Sequence, residues 1–142
     1  MKTKFSEILK VKKQKVSEIE QKLAAKRFER ETLVSQSVAL STQIAAQEFP
    51  KEGNFAAMQR AYRGRAYLYA KKERIENMIQ YLDDGIERLH TAYKEANIDY
   101  EKIKYLHETE KQKKIAEIMK AENKRMDEIA GQLFGRNAKE AF

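Results

Sequence analysis

The side chains best suited to catalysis or metal binding are two histidines and one pair of adjacent aspartates. His90 and His107 have no carboxylate or histidine partners at the spacing of a metal site. Asp83 and Asp84 could form an acid and base pair, but such residues are usually surface charge. The sequence contains no cysteine, no GxxxxGK[ST] phosphate loop and no HExxH motif. We therefore expect no enzymatic activity, no cofactor and no metal site, and we expect both histidines to be solvated on helix faces.

A cluster of arginines and tyrosines is better suited to binding than to catalysis. Both residue types are common at the energetic centres of interfaces, and their interleaving also suits stacking on nucleic acid bases. Alternatively, the tyrosines at positions 62 and 69 continue a helical spacing and pack in the core against Ala45, Leu40 and Leu33. The cluster consists of Arg60, Tyr62, Arg63, Arg65, Tyr67 and Tyr69.

Composition indicates which elements position these residues. The 142 residues include one proline, five glycines and 36% charged residues, which favours long solvated helices over a turn-rich domain. The net charge of +7 is compatible with an acidic partner, an anionic membrane surface or nucleic acid. No signal peptide and no apolar run long enough to cross a membrane is evident, so we expect a cytosolic protein.

The strongest periodic pattern is an apolar seam between Ile75 and Ile103. Alternating steps of four and three residues meet only apolar positions, while residues such as Glu87 and Arg88 beside them are charged. Such a narrow stripe is typical of a coiled coil, in which one partner helix suffices. The seam passes through Ile75, Ile79, Leu82, Ile86, Leu89, Tyr93, Ala96, Tyr100 and Ile103.

A weaker stripe precedes it in the chain. Thr3 can cap a first helix, but four of that helix's seam positions are polar: Lys12, Lys26, Arg30 and Ser37. Phe49–Pro50 ends the helix, and Asn54 can cap the next one. The sequence therefore predicts a single all-α unit over residues 1–142, an antiparallel coiled-coil hairpin with a helix over about residues 4–48, a turn over about 49–54, a helix over about 55–134 and a frayed tail over 135–142.

A bend at residues 50–54 also predicts which residues meet. Paired positions should have numbers that sum to about 103, which places Phe5 near Ile98. Lys26 and Arg30 would then lie opposite Glu73 and Glu76. Asp83-Asp84-Gly85 could instead break the second helix and give a three-helix bundle, but Leu82 and Ile86 stay in phase across the glycine, which favours a continuous helix.

Beyond Ile103 the pattern changes. Residues 107–114 are wholly polar, as expected of a helix without a partner. A second apolar stripe follows, for which the sequence offers no partner. It either frays or dimerises, or it is a surface for another protein. The stripe consists of Ile115, Met119, Met126, Ile129 and Leu133, with Ile118, Ala130 and Phe134 beside them.

The segment Glu122-Asn123-Lys124-Arg125-Met126-Asp127-Glu128-Ile129-Ala130 resembles the end of the flagellar export protein FliJ, whose members often carry a Leu-Asp-Glu-Ile-Ala pattern; Met126 stands where leucine is commoner. Tyr105, Leu106 and Glu108 are similar to the region before that motif. The length, the lysine-rich start and the two helices around a short loop match the same family.

The resemblance implies a stalk-like coiled coil of the flagellar type III export apparatus, cytoplasmic and peripheral at the inner membrane, with roles in flagellum biogenesis and motility. Its terminal ends would enter the hexameric export ATPase, its loop-proximal end would meet the cytoplasmic domain of the export gate protein, and it would escort export chaperones. On this basis the ATPase-binding candidates are Phe5, Leu9, Lys12, Lys13, Met119, Met126, Asp127, Glu128, Ile129, Leu133 and Phe134. The gate-binding candidates, chosen from chemistry alone, are the six residues of the arginine and tyrosine cluster.

Two alternatives from other classes are a nucleic-acid-binding basic coiled coil and a purely structural homodimer. Acidic residues such as Glu7, Glu18 and Glu29 interrupt the most basic part of the chain, which weakens any continuous phosphate track. We therefore expect no nucleic acid partner.

Overall fold

A computed structural model describes residues 1–51 and 53–140, with side chains through residue 137. Helix α1 spans Ser6–Ala46 and helix α2 spans Phe55–Glu140, with 41 and 86 residues. The described residues contain no strand, and the fold is the predicted all-α antiparallel two-helix hairpin. Helix α2 continues past Phe134, where the sequence placed its end, through Gly135. Glu52 of the predicted turn and residues 141–142 of the predicted tail lie outside the described residues.

The start of α1 is fixed by reciprocal hydrogen bonds. The Thr3 hydroxyl oxygen accepts a hydrogen bond from the Phe5 amide at 3.1 Å, and the Ser6 hydroxyl oxygen accepts one from the Thr3 amide at 2.8 Å. This is a capping box with serine in the position that glutamate usually occupies. The predicted cap at Thr3 is therefore confirmed.

The start of α2 is capped in the same way. The Asn54 side-chain oxygen accepts a hydrogen bond from the Ala57 amide at 2.8 Å, which satisfies one amide that has no helical partner. Helix α2 has no acidic residue in its first turn, and its cap is a neutral side chain near the positive end of the helix dipole.

The chain divides into two compact units, which are described separately. The loop unit is Lys15–Ala96, and the terminal unit is Met1–Gln14 together with the described part of Asn97–Phe142. In the loop unit, α1 and α2 pack through an apolar cluster to which Leu68 and Ile79 add half-buried contacts; the buried members are Leu33, Leu40, Ile75 and Leu82. The prediction of one coiled-coil unit remains a prediction.

The helix pairing in the loop unit differs from the predicted register. Arg30 forms an ion pair with Asp83 rather than with Glu73 or Glu76, a shift of about two to three helical turns. The connection contributes to this shift, because Phe49 packs beside Tyr62 of α2 rather than beside the first residue of that helix. Gln47 donates a hydrogen bond from its side chain to the Ala61 carbonyl at 3.2 Å. The end of α1 therefore lies beside the second turn of α2 rather than beside its first residue.

The seam residues follow this pairing. Ile75, Leu82 and Ala96 are buried. The other predicted seam residues are half-buried: Ile79, Ile86, Leu89, Tyr93, Tyr100 and Ile103. Ile98, which the predicted register placed against Phe5, is exposed instead.

The terminal unit is paired further along α2 than the sequence indicated. The Thr3 hydroxyl and His107 Nδ1 are 2.8 Å apart, and Lys12 Nζ lies 3.9 Å from an Asp99 carboxylate oxygen. Thr3 is buried, and His107, Glu110 and Lys114 are half-buried. The prediction that residues 107–114 are solvated all round is therefore wrong, because polar residues continue the seam spacing beyond Ile103.

Helix α2 is continuous through Gly85, which confirms the two-helix prediction over the three-helix alternative. A Cβ atom added at Gly85 would meet no other atom within 4 Å. Packing therefore does not require a glycine at position 85, and a larger residue would fit there.

The observed register predicts a specific crosslink. Arg30→Cys with Asp83→Cys should react within one chain with a short bismaleimide, since the two residues face each other in the loop unit. The control pair Arg30→Cys with Glu76→Cys should react much more slowly. The native chain contains no cysteine, so peptide mass spectrometry reads the link without background. Faster reaction of the control pair would support the register predicted from sequence.

Gly85→Ala should raise the free energy of unfolding by about 0.5–1 kcal/mol, since alanine has the higher helix propensity and meets no steric obstacle. Urea denaturation followed by circular dichroism measures the change. Gly85→Pro is the matched control and should lower stability by about 3 kcal/mol or more. If alanine destabilised the chain, α2 would not be regular at this position.

Candidate protein-binding surfaces

The residues first considered for catalysis have structural roles or none. Asp83 is paired with Arg30, and Asp84 accepts a long hydrogen bond of 3.5 Å from Gln80. His90 is exposed, whereas His107 is half-buried and bonded to Thr3, so the prediction of a solvated helix face is wrong for His107. Within the described residues, no group of three histidines, aspartates or glutamates could hold a metal ion.

A surface hollow in the terminal unit also lacks the form of an active site. Its volume is about 580 Å³, and every residue that lines it belongs to one side of α2: Asn97, Ile98, Glu101, Lys102, Tyr105 and Leu106. Since α2 alone lines the hollow, it is an open trough. An active site needs a concave pocket with converging polar groups.

The arginine and tyrosine cluster lies near the start of α2 in the loop unit. Tyr62, Tyr67 and Tyr69 are exposed, so the alternative in which Tyr62 and Tyr69 are buried against α1 is wrong. The physical reason is that the seam positions, which face α1, do not include these tyrosines. Counting back from Ile75 by three and four residues gives Lys72 and Leu68, which are half-buried, while the tyrosines project from other faces.

Phe49 belongs to this surface, although from the sequence we expected it only to end α1. Its ring lies 5.0 Å from the Tyr62 ring, and the Arg65 guanidinium carbon lies 5.1 Å from the Phe49 ring centre. Arg65 also approaches the Tyr69 ring at 5.7 Å. The sequence signal for this role of Phe49 was an aromatic residue directly before the only proline. Periodic spacing does not indicate its contact with α2, because Phe49 lies outside the helices.

This packing fixes the orientation of Arg65. The cationic side chain lies against two aromatic faces, an arrangement that stabilises it by about 0.5–1 kcal/mol per contact at exposed sites. Its Nε and the Gln47 side-chain oxygen are buried and have no hydrogen-bond partner among the described residues. The remaining arginines of the cluster, Arg60 and Arg63, are exposed.

The second surface is the apolar stripe near the end of α2, in the terminal unit. All described side chains from residue 116 to 137 are exposed. Met126 is 68% exposed and Phe134 is 78% exposed. Met119, Ile129 and Leu133 are exposed as well, and so are Asp127 and Glu128 between them. Ile115 at the start of the stripe is half-buried, and the described chain covers none of the stripe from Ile118 onward.

The two groups of ATPase-binding candidates do not form one patch. Phe5 and Leu9 are half-buried at the start of α1, Lys12 is engaged with Asp99, and Lys13 is exposed. The start of the chain is bonded to His107, and Met119 lies about 18 Å further along the helix axis. The stripe and the first residues of the chain are thus separate surfaces.

None of the described helices is long and apolar enough to cross a membrane. The profile of the flagellar FliJ protein family matches residues 1–139. The chain belongs to the FliJ family. No curated protein and no solved structure matches it at a significant level.

Membership in the FliJ family makes the chain a component of the flagellar export apparatus, in a family of non-catalytic components. The segment that first indicated the family, residues 122–130, lies within the exposed part of α2. The two surfaces described above are the candidate binding sites of this FliJ-family chain.

The terminal stripe should contribute little to the stability of the isolated chain. Met126→Ser, Ile129→Ser and Leu133→Ser together should leave the main thermal transition within about 2 °C of the native chain, because the three side chains are already exposed. Circular dichroism measures the transition. A drop of 10 °C or more would mean that the stripe is part of a core.

Proposed function

We propose that this FliJ-family chain is a non-enzymatic stalk and adaptor of the flagellar export apparatus. It binds the hexameric export ATPase through its terminal unit and couples it to the cytoplasmic domain of the export gate protein. In this proposal it is cytoplasmic and is held at the inner membrane through the apparatus. The observation that carries the proposal is the exposure of Met126, Ile129 and Leu133 on a helix that extends beyond the residues paired with α1.

Apolar exposure of this kind supports a helical docking surface. Each of these side chains would contribute about 1.5–3 kcal/mol when fully buried against a partner. Lys120 and Lys124 lie beside the stripe and are exposed, as is Lys13 in the first part of α1. These lysines suit an acidic wall in the partner, which would add orientation and association rate more than affinity.

The proposed mechanism is physical coupling without chemistry in this chain. A helical element seated asymmetrically in a hexamer contacts some subunits more than others, and it stabilises the subunit conformations that it fits best. Its binding thereby changes the assembly or the nucleotide cycle of the ATPase by a coupling free energy. The loop unit is then available to the gate.

The arginine and tyrosine cluster supports the proposed gate contact. Arg63 and Tyr67 are exposed, and Arg65 is held in place by Phe49 and Tyr69. Preorganised arginines and tyrosines lose little conformational entropy on binding. Export chaperones are also proposed as partners, and the family is the sole support for them.

The terminal stripe is tested with the export ATPase. The variant with Met126→Ser, Ile129→Ser and Leu133→Ser should bind the ATPase at least about 100-fold more weakly, given the apolar burial that is lost. Phe28→Ser, Val38→Ser and Met78→Ser form the matched control, since these residues are equally exposed in the loop unit. Undiminished binding by the first variant, measured by surface plasmon resonance, would contradict the proposal.

The gate contact is tested separately. Arg63→Ala with Tyr67→Ala should weaken binding to the cytoplasmic domain of the gate protein by about tenfold or more, as expected for interface hot spots. ATPase binding by the same variant should not change. A nucleic acid shift assay at about 150 mM salt, where non-specific phosphate contacts are weak, is run alongside. Tight nucleic acid binding without any ATPase contact would favour the rival function.

A further inference from the structure

A hollow in the loop unit lies over Gly85, and both helices line it. Its volume is about 300 Å³. A Cβ atom added at Gly85 would meet no other atom within 4 Å, so the described residues leave this space open. Glycine is also less stable than alanine in a helix interior, so the fold of a single chain gains nothing from this residue. The lining residues are Lys26, Tyr81, Leu82, Gly85, Arg88 and Leu89.

The lining of the hollow suits an aromatic ring. Leu82 and Leu89 supply apolar contact, and the charged residues of the lining are the cations Lys26 and Arg88. A cation above the face of an aromatic ring is attracted by the electrons of the ring. Arg88 is exposed, and the ion pair of Lys26 with Glu29 is loose, at 4.0 Å. A ring in the hollow would therefore meet apolar side chains and two positive charges.

Tyr81 carries such a ring at the edge of the same hollow. It is 71% exposed, and Met78 beside it is 51% exposed. Met78, Tyr81, Gly85 and Arg88 follow one another at intervals of three, four and three residues. They therefore lie within about 80° of one another around the axis of α2, on one face that we call the Tyr81 face. This face carries both a projecting ring and, about 6 Å along the helix axis, a space for a ring.

We propose that two copies of this chain associate through the Tyr81 face, with Tyr81 of each copy inserted into the hollow at Gly85 of the other. A twofold axis between antiparallel α2 helices, level with Asp83, forms both contacts at once, as a self-complementary interface requires. A parallel pair would instead place the two tyrosines against each other and leave both hollows empty. The proposal goes beyond the ATPase and gate contacts and does not depend on them, because it involves this chain alone.

The same pairing predicts the strength of the association. Met78 of one copy lies beside Arg88 of the other, whose aliphatic part covers it while the charged end stays in water. The two Asp84 carboxylates flank the axis on the same side and repel each other, which lowers the affinity. One helix–helix contact is also smaller than a standard protein interface, so we expect a Kd of about 10–100 µM and a monomer at about 1 µM.

Sedimentation equilibrium of the full chain tests the association. The weight-average mass should rise from 16.6 kDa towards twice that value between about 1 and 200 µM chain. Tyr81→Ser should raise the Kd at least about tenfold, as expected for a central aromatic residue. Tyr105→Ser is the matched control, because Tyr105 is also 71% exposed but lies in the terminal unit, and should leave the Kd unchanged. A native chain that remains at 16.6 kDa throughout, or an equal effect of the two variants, would overturn the proposal.

Gly85→Gln tests the hollow without removing the ring. Glutamine has a higher helix propensity than glycine, so the single chain should be at least as stable, while the new side chain occupies the hollow. The Kd should rise at least about tenfold. Gly131→Gln is the matched control, since a Cβ atom there also meets no atom within 4 Å, and should not change the Kd. Circular dichroism verifies that both variants are folded. Undiminished association of Gly85→Gln would overturn the proposal.

The antiparallel orientation is tested with chains that each carry one cysteine. The native sequence has none, so every link joins two chains. A mixture of Met78→Cys and Arg88→Cys chains should link readily with a short bismaleimide. Met78→Cys alone should link much more slowly, because antiparallel pairing separates the two copies of residue 78 by about 15 Å along the helix axes. Faster linking of Met78→Cys alone would indicate a parallel pair and would overturn the proposal.

Discussion

Apolar packing between the two helices of the loop unit is the contact on which the rest of the structure depends. Full burial of a leucine or isoleucine contributes about 1.5–3 kcal/mol, whereas an ion pair as exposed as that of Arg30 and Asp83 contributes at most about 1 kcal/mol. The apolar contacts therefore hold the helices together, and the ion pair adds a smaller preference for the observed register. The contacts involve Leu33, Leu40, Ile75 and Leu82.

The sequence predicts the elements and their caps well, because these depend on local chemistry. Thr3 and Asn54 cap their helices through neighbouring residues, and the unbroken seam carries α2 past Gly85. The register could not be predicted in the same way. Polar residues at seam positions of α1, such as Lys12 and Arg30, weaken the preference for any one alignment. The contacts of Phe49 with Tyr62 and Arg65 of α2 then favour one alignment of the helices. No periodic sequence pattern indicates these contacts.

The binding surfaces follow from what the pairing leaves uncovered. The seam spacing places Leu68 and Lys72 toward α1, so Tyr62 and Tyr69 remain outside, which the sequence left as one of two possibilities. In the terminal unit, the hydrogen bond between Thr3 and His107 joins residues that are far apart in the chain, and no local sequence signal indicates it. The apolar stripe around Met126 was predicted from its residue spacing alone. It is exposed because no residue of α1 packs against it. A FliJ-family chain thus has two distinct surfaces, one in each unit, with different chemistry.

We propose that the terminal stripe is a docking surface that stays uncovered until a partner binds. Hydrogen–deuterium exchange of the full chain, alone and with the hexameric export ATPase, tests it most directly. In the chain alone, amides of residues 116–137 should exchange far faster than those around Leu33 and Leu82, since no packing stabilises their helix. Addition of the ATPase should slow exchange in residues 116–137 by tenfold or more. Strong protection of these residues in the chain alone, or unchanged exchange on binding, would contradict the account.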